Sequence, residues 1–86
     1  VPKQPAVNAG KLIKFLNRLG YRFVRQKGSH HILEKIGDNG KKLSIVAVPY
    51  HGSNKLPTGL VHDIIRQVSE ENGIPRDALI EMLERT

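Results

Sequence analysis

The 86-residue chain reads as an α+β domain of order α-β-β-β-α-α, with a three-stranded antiparallel sheet carrying its helices on one face. Three observations predict this. Apolar residues recur at helical spacing near both ends of the chain, and strand-like alternation fills the middle. Only a few turn-forming residues separate the three strand-like runs, which favours antiparallel neighbours. Finally, amphipathic helices beside a small sheet bury their apolar stripes most simply by lying together on one sheet face. A chain this short supports a single core.

The elements follow in order. Val1 to Val7 carries Pro2 and Pro5 and reads as a loose tail, leaving residues 8–86 as one domain. Asn8 suits an N-cap, and a helix follows from about Ala9 to Leu19, with Leu12, Ile13, Phe15, Leu16 and Leu19 as its stripe. Lys11, Lys14 and Arg18 fall three and four apart and share a basic face. Gly20 marks the helix end. Tyr21 to Gln26 reads as the first strand, and its alternation places Tyr21 and Phe23 in the core rather than on a base-stacking surface. Lys27-Gly28-Ser29 makes a tight turn, and His30 to Ile36 is the second strand. Gly37-Asp38-Asn39-Gly40 is a turn with a hairpin signal, and Leu43 to Val48 is a third strand ended by Pro49. Tyr50 to Pro57 is a loop. Thr58 is expected to cap a helix running to about Asn72, with Leu60, Val61, Ile64, Ile65 and Val68 buried, and Gly73 stops it. Pro75 opens a last short helix to about Arg85.

Charge narrows the partner. Fourteen Lys and Arg against eight Asp and Glu give a formal net charge of +6. From Lys3 to Lys27 there are seven basic residues and no acid, whereas six acids outnumber three bases from Asp63 to Thr86. A basic body with an acid-rich end suits a polyanion on one side and a different partner on the other. There is no cysteine, which excludes disulfides, thiolate metal sites and a cysteine nucleophile, and fits a cytoplasmic setting. No run approaches the roughly 20 apolar residues of a membrane span, so no membrane is expected. The opening residues lack the apolar region of a signal peptide.

Four histidines carry the chemical interest: His30, His31, His51 and His62. An imidazole takes or gives a proton near neutral pH. RNA cleavage needs a base for the ribose 2′-OH, an acid for the leaving 5′-oxygen and cations for the phosphate. Lys27 adjoins the paired histidines, and Arg25, Lys41 and Lys42 join them if the sheet brings them together. Strand alternation sends His30 and His31 to opposite faces. It does not choose between them, because His30 travels with Ile32 and Ile36 while His31 travels with Leu33. A surface or half-buried histidine, hydrogen-bonded to its neighbours, is the plainer reading of either. His51 is a phosphate contact or second proton-transfer group, or else an exposed loop residue. His62 reads as helix surface. Ser29 is a turn residue or a ligand contact, and Gly28 alone makes no phosphate loop. No spaced acid or further histidine completes a metal site, so neither a metal nor another cofactor is expected.

In combination, several runs resemble the HicA family of small toxins from toxin–antitoxin pairs. They are Leu12-Ile13-Lys14-Phe15-Leu16, Leu19-Gly20-Tyr21, Val24-Arg25-Gln26-Lys27-Gly28-Ser29-His30-His31, Val48-Pro49-Tyr50-His51, Thr58-Gly59-Leu60 and Ile64-Ile65. The resemblance spans roughly Asn8 to Pro75. It implies a double-stranded-RNA-binding-like α-β-β-β-α fold, here with an extra short C-terminal helix. It also implies metal-independent cleavage of mRNA, neutralisation by a HicB-type antitoxin, and a homodimer or a hetero-oligomer with that antitoxin. The family's catalytic histidine directly follows Gly-Ser and falls on His30. Some members carry it one place later, which leaves His31 as the alternative. Arg25, Lys27, Gly28, Ser29, Lys14, Lys41, His51 and Lys55 are the expected RNA contacts. The chain departs from the family pattern in two places. Thr58-Gly59-Leu60 stands where Gly-Thr-Leu is common, and the helix after Pro75 extends past the shortest members, to dock the antitoxin, modify dimerisation or complete the core.

Overall fold

The computed structural model describes residues 7–50 and 54–86. Its elements run α1 (Ala9–Arg18), β1 (Arg22–Lys27), β2 (His30–Ile36), β3 (Lys42–Pro49), α2 (Thr58–Asn72) and α3 (Arg76–Glu84). The strands form one antiparallel sheet in the order β1-β2-β3. The α+β architecture read from the sequence is therefore the observed one.

Local chemistry sets the ends of α1. Asn8 is extended, and its side chain accepts from the Lys11 amide at 2.9 Å, the expected N-cap. At the other end Gly20 takes φ +98, its amide bonds the Asn17 carbonyl, and the Tyr21 amide bonds the Leu16 carbonyl. That pair of bonds is a Schellman motif, which needs a residue tolerant of positive φ and turns the chain directly into β1. Thr58, in contrast, does not cap α2. It is the first helical residue, and Pro57 precedes it with no side-chain cap bond. A proline with fixed φ ends the extended loop there, and the helix starts one residue sooner than a threonine cap allows.

Leu12, Phe15 and Leu16 of α1, Val61, Ile64, Ile65 and Val68 of α2, and Leu33, Val46 and Val48 of the sheet share one core. Leu79 and Leu83 of α3 are fully buried in it, so the last helix completes the core. Val7 belongs there too. It is 1% exposed, and its carbonyl accepts from the Leu56 amide at 2.7 Å. Val7, expected to close a loose tail, is instead packed, since an apolar residue beside the α1 cap gains more from burial than from freedom, and residues 1–6 lie outside the described residues.

A polar chain crosses the core beside these side chains. Tyr21 is fully buried and donates to the Ser44 hydroxyl at 2.7 Å, which donates to Glu71 at 2.5 Å. Asn72 donates to the Tyr21 hydroxyl at 2.9 Å and accepts from the Lys35 ammonium at 2.6 Å. These bonds fasten α2 to β2, to β3 and to Tyr21 just before β1 while satisfying the buried hydroxyls.

Both α1 and α2 pack over β3. The opposite sheet face is left uncovered, and Ile36, Leu43 and Ile45 are exposed on it. Among the described residues no helix is long and apolar enough to cross a membrane.

Candidate nucleic-acid interface

Two hairpins place the histidines. The first joins β1 to β2 through only Gly28 and Ser29, with Lys27 paired to His30. Gly28 takes φ +59, and no residue other than glycine has positive φ among the described residues. A two-residue turn with glycine first is the II′ pattern, whose twist matches that of the flanking strands. The second hairpin closes through the Gly37 amide on the Lys41 carbonyl and the Gly40 amide on the Gly37 carbonyl, with Gly40 at φ +78. It pairs His30 with Pro49 and His31 with Val48, and the Tyr50 amide bonds the Ser29 carbonyl at 2.7 Å. His30 and His31 therefore stand at the rim of the sheet, each flanked by both neighbouring strands.

Register assigns their faces. Cross-strand partners point to the same side of a sheet. Val48 is fully buried under the helices, so His31 opposite it faces the helix-bearing side. His30 takes the other side. It is exposed, with Lys27 opposite it on β1. Arg25, paired with Ile32, lies two β2 positions along on the same side as His30. Directly opposed residues have Cβ atoms about 5 Å apart. His30 also borders an open groove of about 470 Å³ with Pro49, Asn54, Lys55, Leu56, Pro57 and Leu60. The exposed imidazole thus has one basic residue across the hairpin and another along the groove.

His31 has different surroundings. Its ring is half-buried and stacks on Tyr50, with centroids 4.7 Å apart and planes 12° from parallel. Phe23 packs against it at 5.3 Å and 60°. Phe23 is 53% exposed and so is not the core residue that alternation predicts. It lies on β1, an edge strand whose six residues are all exposed, and a bulge between Phe23 and Arg25 shifts the strand's register there. A side chain can have core parity without a helix above it.

The other expected contacts divide. Arg25, Lys27, Gly28 and Ser29 are gathered at the rim with His30, and Lys55 lines its groove. Lys41 is not brought there. It sits in the turn after β2, and Ile36 is six residue steps from His30, about 20 Å at strand rise. Lys42 is at that same far end, where it pairs with Glu34 at 3.2 Å. Lys14 is exposed on α1 and does not line the groove. His51 lies outside the described residues. Asn54 and Tyr50 are neighbours of the histidines that sequence reasoning passed over. Counting back along both strands from the Asp38-Asn39-Gly40 turn sets Val48 opposite His30, and the bulge between Lys35 and Ile36 moves the pairing by one residue, to Pro49. Among the described residues no group of three or more His, Cys, Asp or Glu side chains is placed to hold a metal ion.

In a comparison with family models, residues 9–69 match the one described as HicA toxin of bacterial toxin-antitoxin. That stretch runs from the first residue of α1 through most of α2 and holds every rim residue described above. No curated protein matches the chain.

Proposed function

Because the chain belongs to the HicA toxin family of bacterial toxin–antitoxin pairs, we propose that it is an mRNA-cleaving toxin acting through His30. The observation that carries this reading is the placement of His30, an exposed imidazole at the sheet rim with Lys27 opposite and Lys55 along the groove.

The chemistry follows from those groups. His30 takes the proton of a ribose 2′-OH. The freed oxygen attacks the adjacent phosphorus, the bond to the 5′-oxygen breaks, and a 2′,3′-cyclic phosphate forms. The departing oxygen receives a proton from the solvent side or from a protonated group of the groove. Lys27, Lys55 and Arg25 hold the phosphate and offset the charge that builds on it. One positioned proton-transfer group contributes about 10²–10⁴ in rate, which is the share assigned to His30. A base, an acid and cations complete this reaction without a metal ion. His31 is less suited to it, since its ring is wedged between two others and lacks the freedom to approach a ribose.

The toxin works in the cytoplasm, where its substrate is, and is neutralised there by a HicB-type antitoxin. The test is induction of the parent chain, His30→Ala and His31→Ala in a bacterium lacking the antitoxin. The parent and His31→Ala arrest growth with loss of intact mRNA, while His30→Ala permits growth. A parent chain that binds RNA yet leaves growth and mRNA intact is instead a non-catalytic RNA-binding module of this fold.

A further inference from the structure

The aromatic row on the helix-bearing side needs its own explanation. Phe23, His31 and Tyr50 come from β1, β2 and the residue just after β3, so one ring stands on each line of the sheet. Their centroid separations of 5.3 and 4.7 Å are those of packed aromatic pairs. The two outer rings remain 53% and 42% exposed. Folding alone gives no reason for this. On the same side, Leu33 and Val48 are fully buried, and aliphatic or polar residues at positions 23 and 50 would leave less apolar surface in water.

We infer that Phe23, His31 and Tyr50 form a base-stacking row that takes unpaired nucleotides of the RNA beside the cleavage site. This inference rests on the RNA-cleaving reading of that site and adds what the substrate must present there, namely bases not covered by a partner strand. Three features fit it. The row is held in advance by strand pairing and by the bond from the Tyr50 amide to Ser29, so little ordering is lost when a base lands on it. Its middle ring adjoins His30 in sequence, about 3.8 Å away between Cα atoms, which ties a stacked base to the rim where the phosphate is attacked. Of β1, Gln26 opposite His31 shares the row's side, while Arg25 and Lys27 reach the same rim from the other side beside His30, so a strand stacked on the row meets cations where it rounds the rim. Aromatic faces accept any base, because every base has a π-face, and the row is therefore expected to grip sequence-tolerantly.

The test uses a short 2′-O-methyl RNA carrying one 2-aminopurine, which cannot be cut by 2′-OH attack and whose fluorescence falls when the base stacks. The parent chain is expected to bind it and quench it. Phe23→Leu and Tyr50→Leu each lower the affinity about tenfold and weaken the quenching, whereas Tyr50→Phe keeps both. Thermal unfolding of the same variants checks that they fold. An otherwise identical strand with an abasic site at the probe position binds parent and variants equally weakly. Unchanged affinity and quenching in both Leu variants overturns the inference, and so does an abasic strand held as tightly as the probe. The two readings separate cleanly. A parent chain that quenches the probe but cuts no RNA sinks the proposed cleavage and keeps the row. A chain that cuts RNA without quenching the probe does the reverse.

Discussion

Replacing Gly28 by alanine isolates the backbone chemistry that sets the histidines in place, provided Gly59 is changed in parallel. At neither glycine does an added Cβ meet any atom within 4 Å, so packing contributes nothing to either substitution. The difference is in the backbone. Gly28 sits at φ +59, where an L-residue's Cβ crowds its own carbonyl at a cost of about 1–2 kcal/mol. Gly59 lies in α2, where alanine removes unfolded-state freedom and gains about 0.5–1 kcal/mol. For a domain of this size, 1 kcal/mol corresponds to about 4–8 °C in Tm. Gly28→Ala should therefore lower Tm by roughly 5–15 °C, and Gly59→Ala should raise it by a few degrees, as followed by circular dichroism. The reasoning fails if Gly28→Ala leaves Tm unchanged or raises it, or if the two substitutions shift Tm in the same direction.

Other substitutions test the core and the charge. Tyr21→Phe removes the hydroxyl that donates to Ser44 and accepts from Asn72, so two bonds of the buried polar chain are lost. It should cost about 1–3 kcal/mol in urea unfolding without changing the shape of the transition. Leu83→Ala empties a fully buried site in α3 and should cost about 2–5 kcal/mol, whereas a helix serving only as a docking appendage would lose almost nothing. Lys27→Ala should weaken RNA binding and reduce the slope of log affinity against log salt by about 0.7, the value of one lost contact to a single strand. Lys41→Ala, at the far end of β2, should change cleavage at the rim by less than Lys27→Ala does when both are assayed on an RNA only a few nucleotides long.

Most of the fold was legible because local chemistry and tertiary demand agree. The Asn8 cap, the Gly20 exit, the Gly28-Ser29 turn and the Asn39-Gly40 region act within a few residues, and each ended an element where expected. The features that were not legible depend on what lies above a residue. Alternation gave Phe23 a parity but could not show that every residue of the edge strand β1 stays exposed. Likewise Val7 gave no hint that its carbonyl would meet Leu56, a partner far along the chain. Of the site, Lys27 and Arg25 were readable because a two-residue hairpin fixes its own register. Choosing between His30 and His31 required the register with β3, set by a second hairpin whose bulge between Lys35 and Ile36 moves the pairing by one residue. Sequence adjacency gives the two imidazoles one description, and the sheet gives them opposite sides.

The most direct measurement is cleavage of a single-stranded RNA by the purified chain in excess chelator, with the product ends identified. The parent should leave 2′,3′-cyclic phosphates, and His30→Gln should leave the RNA whole while still binding it. His31→Gln should still cut, if more weakly. Cleavage that survives in His30→Gln, or that proceeds through a bond whose 2′-OH has been removed, would contradict the role given to the exposed imidazole.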